Sequence, residues 1–168
     1  MFQPGDLVVY GAAGVCRVDA ITEMASTSGG KRACYVLDPL RQDGVIYTPV
    51  DNDKVPIRPV LSAREAEELI DRIPTIQLAE DQRDPARRYQ SALRSGDCQD
   101  LVGVMKSIGV KRRQAEARKR PLAMADERCM RQAERNLYGE LSAALDIPFE
   151  EVQAYIDRRT EGAAAQNF

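Results

Sequence analysis

The spacing of apolar and polar positions changes character near residue 60. Before it, short β-prone runs alternate with turn signals: "LVVY" at 7–10, a turn from Gly11 to Gly14, "VCRVDAI" at 15–21, "STSGG", "ACYVL" at 33–37, "RQDG", "VIYTPV" at 45–50 and "DND". Within 15–21, Cys16, Val18 and Ala20 alternate with Arg17 and Asp19, the period of a strand with one buried face. Such short runs joined by tight turns suit a small curved barrel of the SH3 or Tudor type, which has little core and several exposed edges.

From Ser62 the period becomes helical. "SARE" is a capping-box signal, with Ser62 as cap and Glu65 three residues on. Ala66, Leu69, Ile70 and Ile73 form an apolar stripe that Pro74 ends. The polar stretch "AEDQRDPA" at 79–86 reads as a hinge or linker. In "RRYQSALRSGD" at 87–97, Tyr89, Ala92 and Leu93 share a face, Gly96 ends the helix and Asp97 caps the next. Leu101, Val104, Met105 and Ile108 then lie at core spacing, as do Met130, Ala133, Leu137 and Leu141, and a last short helix carries Val152 and Ile156. The pattern predicts an α+β chain: a five-stranded Tudor-like barrel over 1–60, a connecting helix and linker over 61–83, an all-helical bundle over 84–160 and a frayed tail over 161–168.

Composition narrows the function. No apolar run approaches the ~20 residues of a membrane span, and the opening lacks the basic start and cleavage site of a signal peptide, so a cytoplasmic protein is expected. Cys16, Cys34, Cys98 and Cys129 are far apart and form no C-x-x-C pair; with no histidine in the chain they read as reduced structural thiols, with no metal site. Without imidazole, Ser-His and Cys-His nucleophiles are excluded, and no carboxylate or lysine constellation replaces them. "SGGKRA" at 28–33 superficially resembles a phosphate loop, but Ala25 stands where its first glycine belongs and Arg32 where the magnesium-holding hydroxyl belongs. No enzyme, cofactor or small-molecule substrate is expected.

Charge sorts along the same boundaries. Residues 1–80 hold 8 basic and 12 acidic side chains, 81–145 hold 14 and 9, and the remainder 2 and 5, so a net charge of −2 hides a basic middle. A local positive field steers polyanions even when the summed charge is negative. "KRRQAEARKR" at 111–120 concentrates six cations. Projected as a helix, Lys111 aligns with Arg118, Arg113 with Arg120 and Lys106, and Arg112 with Lys119, so beyond Val110 every face carries a cation and the segment forms an exposed end of the bundle. Three readings follow: a solvated helix end, a basic run mimicking a nuclear-import signal, or a phosphate-contacting surface to which Arg87 and Arg88 add.

"FQPGDLVVYGAAGVCRVDAI", "VIYTPVDN", "RRYQSALRSGD" and "LYGELSAAL", in that order and spacing, resemble the CarD/CdnL family of bacterial transcription regulators. The resemblance covers roughly residues 2–145. It implies a Tudor-like amino-terminal module, similar to the polymerase-interacting domain of transcription-repair coupling factor, that docks on the β subunit of RNA polymerase. It also implies a helical module that touches promoter DNA at the upstream edge of the melted bubble, stabilising the open complex. Strand edges that can add to a partner sheet and basic helices that hold phosphates suit those roles. Two features depart from the family pattern. Pro85 stands where many members have a wedging Trp, and Met24 and Tyr47 fall where some have polymerase-contacting arginines.

The candidate DNA-binding residues are therefore Arg87, Arg88, Lys106, Lys111, Arg112, Arg113, Arg118, Lys119 and Arg120, with weak, largely sequence-independent affinity expected. The candidate polymerase-binding residues are Met24, Val45, Ile46, Tyr47 and Thr48, with strand 45–48 as either a sheet edge or an internal strand. The alternatives are an adaptor whose basic helix binds an acidic protein partner, and an RNA-binding module.

Overall fold

A computed structural model describes residues 1–79, 83–161 and 168. Five strands, β1 (Leu7–Tyr10), β2 (Val15–Ala25), β3 (Lys31–Pro39), β4 (Ile46–Pro49) and β5 (Ile57–Pro59), form one antiparallel sheet in the order β4-β3-β2-β1-β5. Its inner face buries Val8, Cys16, Val18, Tyr35 and Leu37. Cys16 and Val18 point inward as their alternation predicts. Ala20 does not share their face: the register with β3 shifts between Val18 and Ala20, a β-bulge at Asp19 that inserts one residue and reverses the alternation. Ile21, opposite Tyr35, takes the inward place that Ala20 was expected to fill.

Among the described residues five helices follow: α1 (Ala63–Arg72), α2 (Pro85–Ser95), α3 (Cys98–Ala117), α4 (Met124–Leu145) and α5 (Val152–Arg159). The capping box forms: Ser62 Oγ accepts from the Glu65 N–H at 3.1 Å, and the Glu65 carboxylate accepts from the Ser62 N–H at 2.8 Å. Asp84 and Asp97 cap α2 and α3. The stripes of all five helices meet in one core that includes Ile70, Tyr89, Met105, Leu137 and Ile156. The polar stretch at 79–86, expected to be a hinge or linker, thus lies between helices that share a core; its residues 80–82 fall outside the described residues.

α3 is the central helix, and from Leu101 to Gly109 it is buried on every side. Its last face is covered by the segment that follows α1: Ala79 N–H donates to the Gly103 carbonyl at 3.1 Å, and Ser107 Oγ donates to the Ala79 carbonyl at 3.0 Å. The tail expected to fray over 161–168 falls at 162–167 outside the described residues. Phe168 itself packs against the core, its ring 6.4 Å from that of Tyr138. The four cysteines are unpaired thiols and all buried; burial, followed by the charge of Asp38, pushes the Cys16 thiol up to about 12. Among the described residues, no helix is long and apolar enough to cross a membrane.

Sheet and helices keep separate apolar cores, and side-chain hydrogen bonds cross the seam between them. The turn from Gly11 to Gly14 inserts between α2 and α4, where Asn136 Nδ2 donates to the Ala12 carbonyl at 3.0 Å. Glycine is required at the contact: a Cβ at Gly14 (φ +72°) would sit 2.8 Å from Asn136 Oδ1, and one at Gly96 (φ +67°) 3.0 Å from the Gly11 carbonyl. Beside it, Arg58 of β5 grips Glu140 of α4 in a two-pronged ion pair at 2.6 and 2.8 Å.

Candidate functional site

One end of the helical module is assembled from three helices. Lys111, near the end of α3, lies 3.4 Å from both carboxylate oxygens of Asp126 in the first turn of α4, and its ammonium sits 4.8 Å from the ring centre of Tyr89 in α2. Burial opposes the Lys111 charge, but Tyr89 and Asp126 outweigh it and raise its pKa. Lys111 therefore ties the end together. This bond brings the start of α2, the end of α3 and the start of α4 side by side.

The sequence-predicted cations divide there into three groups. Lys106 is buried and does not reach the surface set: its Nζ donates to the Ile76 carbonyl at 2.9 Å under the covering segment, and burial lowers its pKa. Lys111 and Arg88 are half-buried and engaged, the latter 3.9 Å from Asp100. Arg87, Arg113, Arg118, Lys119 and Arg120 are exposed, and Arg112 is half-buried; among the described residues none of these six forms an ion pair. Arg112 lies near enough to Glu134 to favour that carboxylate, against the larger effect of burial, which raises the Glu134 pKa.

The helical projection beyond Ala117 is corrected by the structure. α3 stops there because the Arg120 N–H bonds back to the Ala115 carbonyl at 2.8 Å and the Lys119 N–H to Glu116 at 3.0 Å, a Schellman closure. Lys119 occupies its left-handed position at φ +54°, where glycine is the usual residue. The chain therefore reverses at 118–120, and three cations fan off the helix end rather than aligning with those of 111–113. Sequence reasoning missed Met124, the first residue of α4, which is 71% exposed and follows Arg120 by four positions in the chain. Its signal was present: an apolar side chain in "RKRPLAM" with no helical neighbour to pack on.

The barrel's candidate residues also divide. β4 is an edge of the sheet, paired to β3. Val45 and Tyr47 are 56% and 55% exposed. Ile46 instead packs on the barrel core, and Thr48 is buried, accepting from the Tyr10 hydroxyl at 3.2 Å. Tyr47 opposes Val36, which opposes Ala20, so all three share the outer face. Met24, four residues beyond Ala20 on β2, lies on the same face about 13 Å further along. The result is an apolar face bordered by an unpaired strand edge.

Fold and surfaces together define a two-module protein, one module exposing a strand edge and the other a cationic end. Residues 2–61 match the family model of the CarD-like/TRCF RID domain, and residues 74–157 match that of the CarD C-terminal domain. The chain belongs to the CarD family, whose members are non-enzymatic transcription regulators that interact with RNA polymerase. No curated protein matches the chain individually.

Proposed function

We propose that this protein docks on the β subunit of RNA polymerase through the β4 edge and the outer face around Tyr47, and lays its cationic end on promoter DNA, stabilising the open complex. The carrying observation is the group of six cations without ion-pair partners among the described residues, gathered at one end from α2, α3 and the turn after it. Contact with about four phosphates gives a log-log salt slope of roughly −3.6, so intrinsic DNA affinity is weak at physiological salt. Binding to polymerase supplies the effective concentration that this affinity lacks. Met124 presents an apolar side chain to the same DNA, the kind of group that props an unstacked base step.

The direct test is the lifetime of open complexes on a defined promoter with and without the protein. A longer lifetime is expected; an unchanged one removes the proposal. For the barrel, Tyr47→Ala should weaken polymerase binding about tenfold, the effect of losing an interfacial aromatic anchor, while affinity for duplex DNA stays unchanged. Surface plasmon resonance against immobilised polymerase measures it.

Lys119 supports the DNA role independently, because its backbone conformation is costly for any residue with a Cβ. Lys119→Gly should stabilise the fold by about 0.5–1 kcal/mol and raise Tm by roughly 1–4 °C. The same change should flatten the salt slope by about 0.9. Calorimetry and salt-dependent binding on one sample test the pair; a destabilised variant with an unchanged slope would contradict the assignment.

A further inference from the structure

The Arg58–Glu140 pair joins surfaces that lie far apart. It sits where β5 meets the amino-terminal end of α3, while the cations leave the other end of that 20-residue helix, about 30 Å away. Glu140 is 1% exposed and every polar contact it makes spans the seam or its margins. Its Oε1 accepts from Arg58 Nη1 at 2.6 Å and from the Leu61 N–H at 3.0 Å; its Oε2 accepts from Arg58 Nη2 at 2.8 Å and from the Cys98 thiol at 2.9 Å. Arg58 Nη2 also donates to the Gly96 carbonyl at 2.7 Å, so a single guanidinium fork holds α4 and the α2–α3 turn at once. Burial works against the Arg58 charge, and the hydrogen bond and charge of Glu140 reverse that effect and raise its pKa overall.

Stability alone does not account for this arrangement. A buried ion pair can usually be replaced by apolar residues of similar volume without loss of stability, but apolar contacts have no preferred direction. The forked pair fixes an angle as well as a distance. Since the two modules keep separate apolar cores, no common core sets that angle for them.

We propose that Arg58 and Glu140 are positioning residues, which hold the β4 edge and the cationic end at a fixed separation and angle so that the protein engages polymerase and DNA as one rigid bivalent ligand. The inference rests on the function proposed above and adds to it that the joint is locked rather than flexible. Orientation settled before binding removes the ordering cost that a flexible joint would impose on the ternary complex. Neither binary interaction depends on the lock.

The test uses the full chain carrying spin labels at Glu23→Cys on β2 and Glu116→Cys on α3, both exposed, while the native thiols are buried. Pulsed electron resonance should give one narrow distance in the parent. In Arg58→Met/Glu140→Leu the distribution should widen at least twofold. Arg58→Lys, which keeps the charge and loses the fork, should widen it less and serves if the double variant folds poorly. In unlabelled protein, the double variant should bind polymerase alone and duplex DNA alone within twofold of the parent, yet lose at least tenfold of its effect on open-complex lifetime. An unchanged distance distribution in both variants overturns the lock. Widening with the lifetime effect intact overturns the positioning role. If the distribution widens but the parent itself has no effect on lifetime, the lock stands and the proposed function falls.

Discussion

Replacing Arg58 with alanine should destabilise the protein by about 3–5 kcal/mol in urea unfolding, more than any other single truncation at the seam. The asymmetry of the pair is the reason. Glu140's side chain is 2% exposed, so without Arg58 its charge stays buried with only the Leu61 N–H and the Cys98 thiol for partners. The opposite truncation, Glu140→Ala, should cost less, because the Arg58 side chain is 31% exposed and its guanidinium can turn toward water. Arg58→Met/Glu140→Leu, which leaves no charge behind, should return close to parental stability. Closed with the single variants Arg58→Met and Glu140→Leu, the cycle would show a coupling of several kcal/mol, beyond the usual range for neighbours and diagnostic of a stranded charge. Loss of less than 1 kcal/mol in Arg58→Ala would mean that water reaches Glu140 and that the seam is loose.

Neither Arg58 nor Glu140 could be singled out from the sequence. They are 82 positions apart, and each reads as an ordinary surface charge in its own element. The features legible in advance were those set by local chemistry. Ser62 and Glu65 specify their capping box within four residues, and Cys16 and Val18 show the strand period directly. The same period failed two residues later because a bulge is a property of two strands and leaves no mark on one. Lys106 failed for a related reason: the helical projection shows its direction but not that Ile76–Ala79 crosses over that face. The all-round burial of α3 likewise depends on what covers it, so only one of its apolar stripes could be read as core. At 118–120 the error was local. Lysine gives no warning of a left-handed residue that glycine would have announced, and the helix was extended three residues too far.

That reversal of the chain decides which substitutions probe the proposed DNA surface most cleanly. Changing Arg113, Arg118, Lys119 and Arg120 together to glutamate should remove duplex DNA binding at physiological salt and bring the salt slope from roughly −3.6 toward zero. With it should vanish the roughly hundredfold loss of affinity between 50 and 200 mM salt that four phosphate contacts entail. These four are exposed and form no ion pair among the described residues, so reversing them strands no buried partner and leaves the fold intact. Lys111→Glu is the informative contrast: it would set two carboxylates against each other at Asp126 and loosen α3 from α4, so its effect should appear first in stability. Arg112 is a poorer probe than its neighbours because it is half-buried beside Glu134. On polymerase, the quadruple variant should bind as the parent does, since the β4 edge belongs to the other module. It should then act as a competitor, occupying the docking surface without lengthening the open complex. A folded quadruple variant that still lengthens it would move the DNA contact away from this end of the bundle.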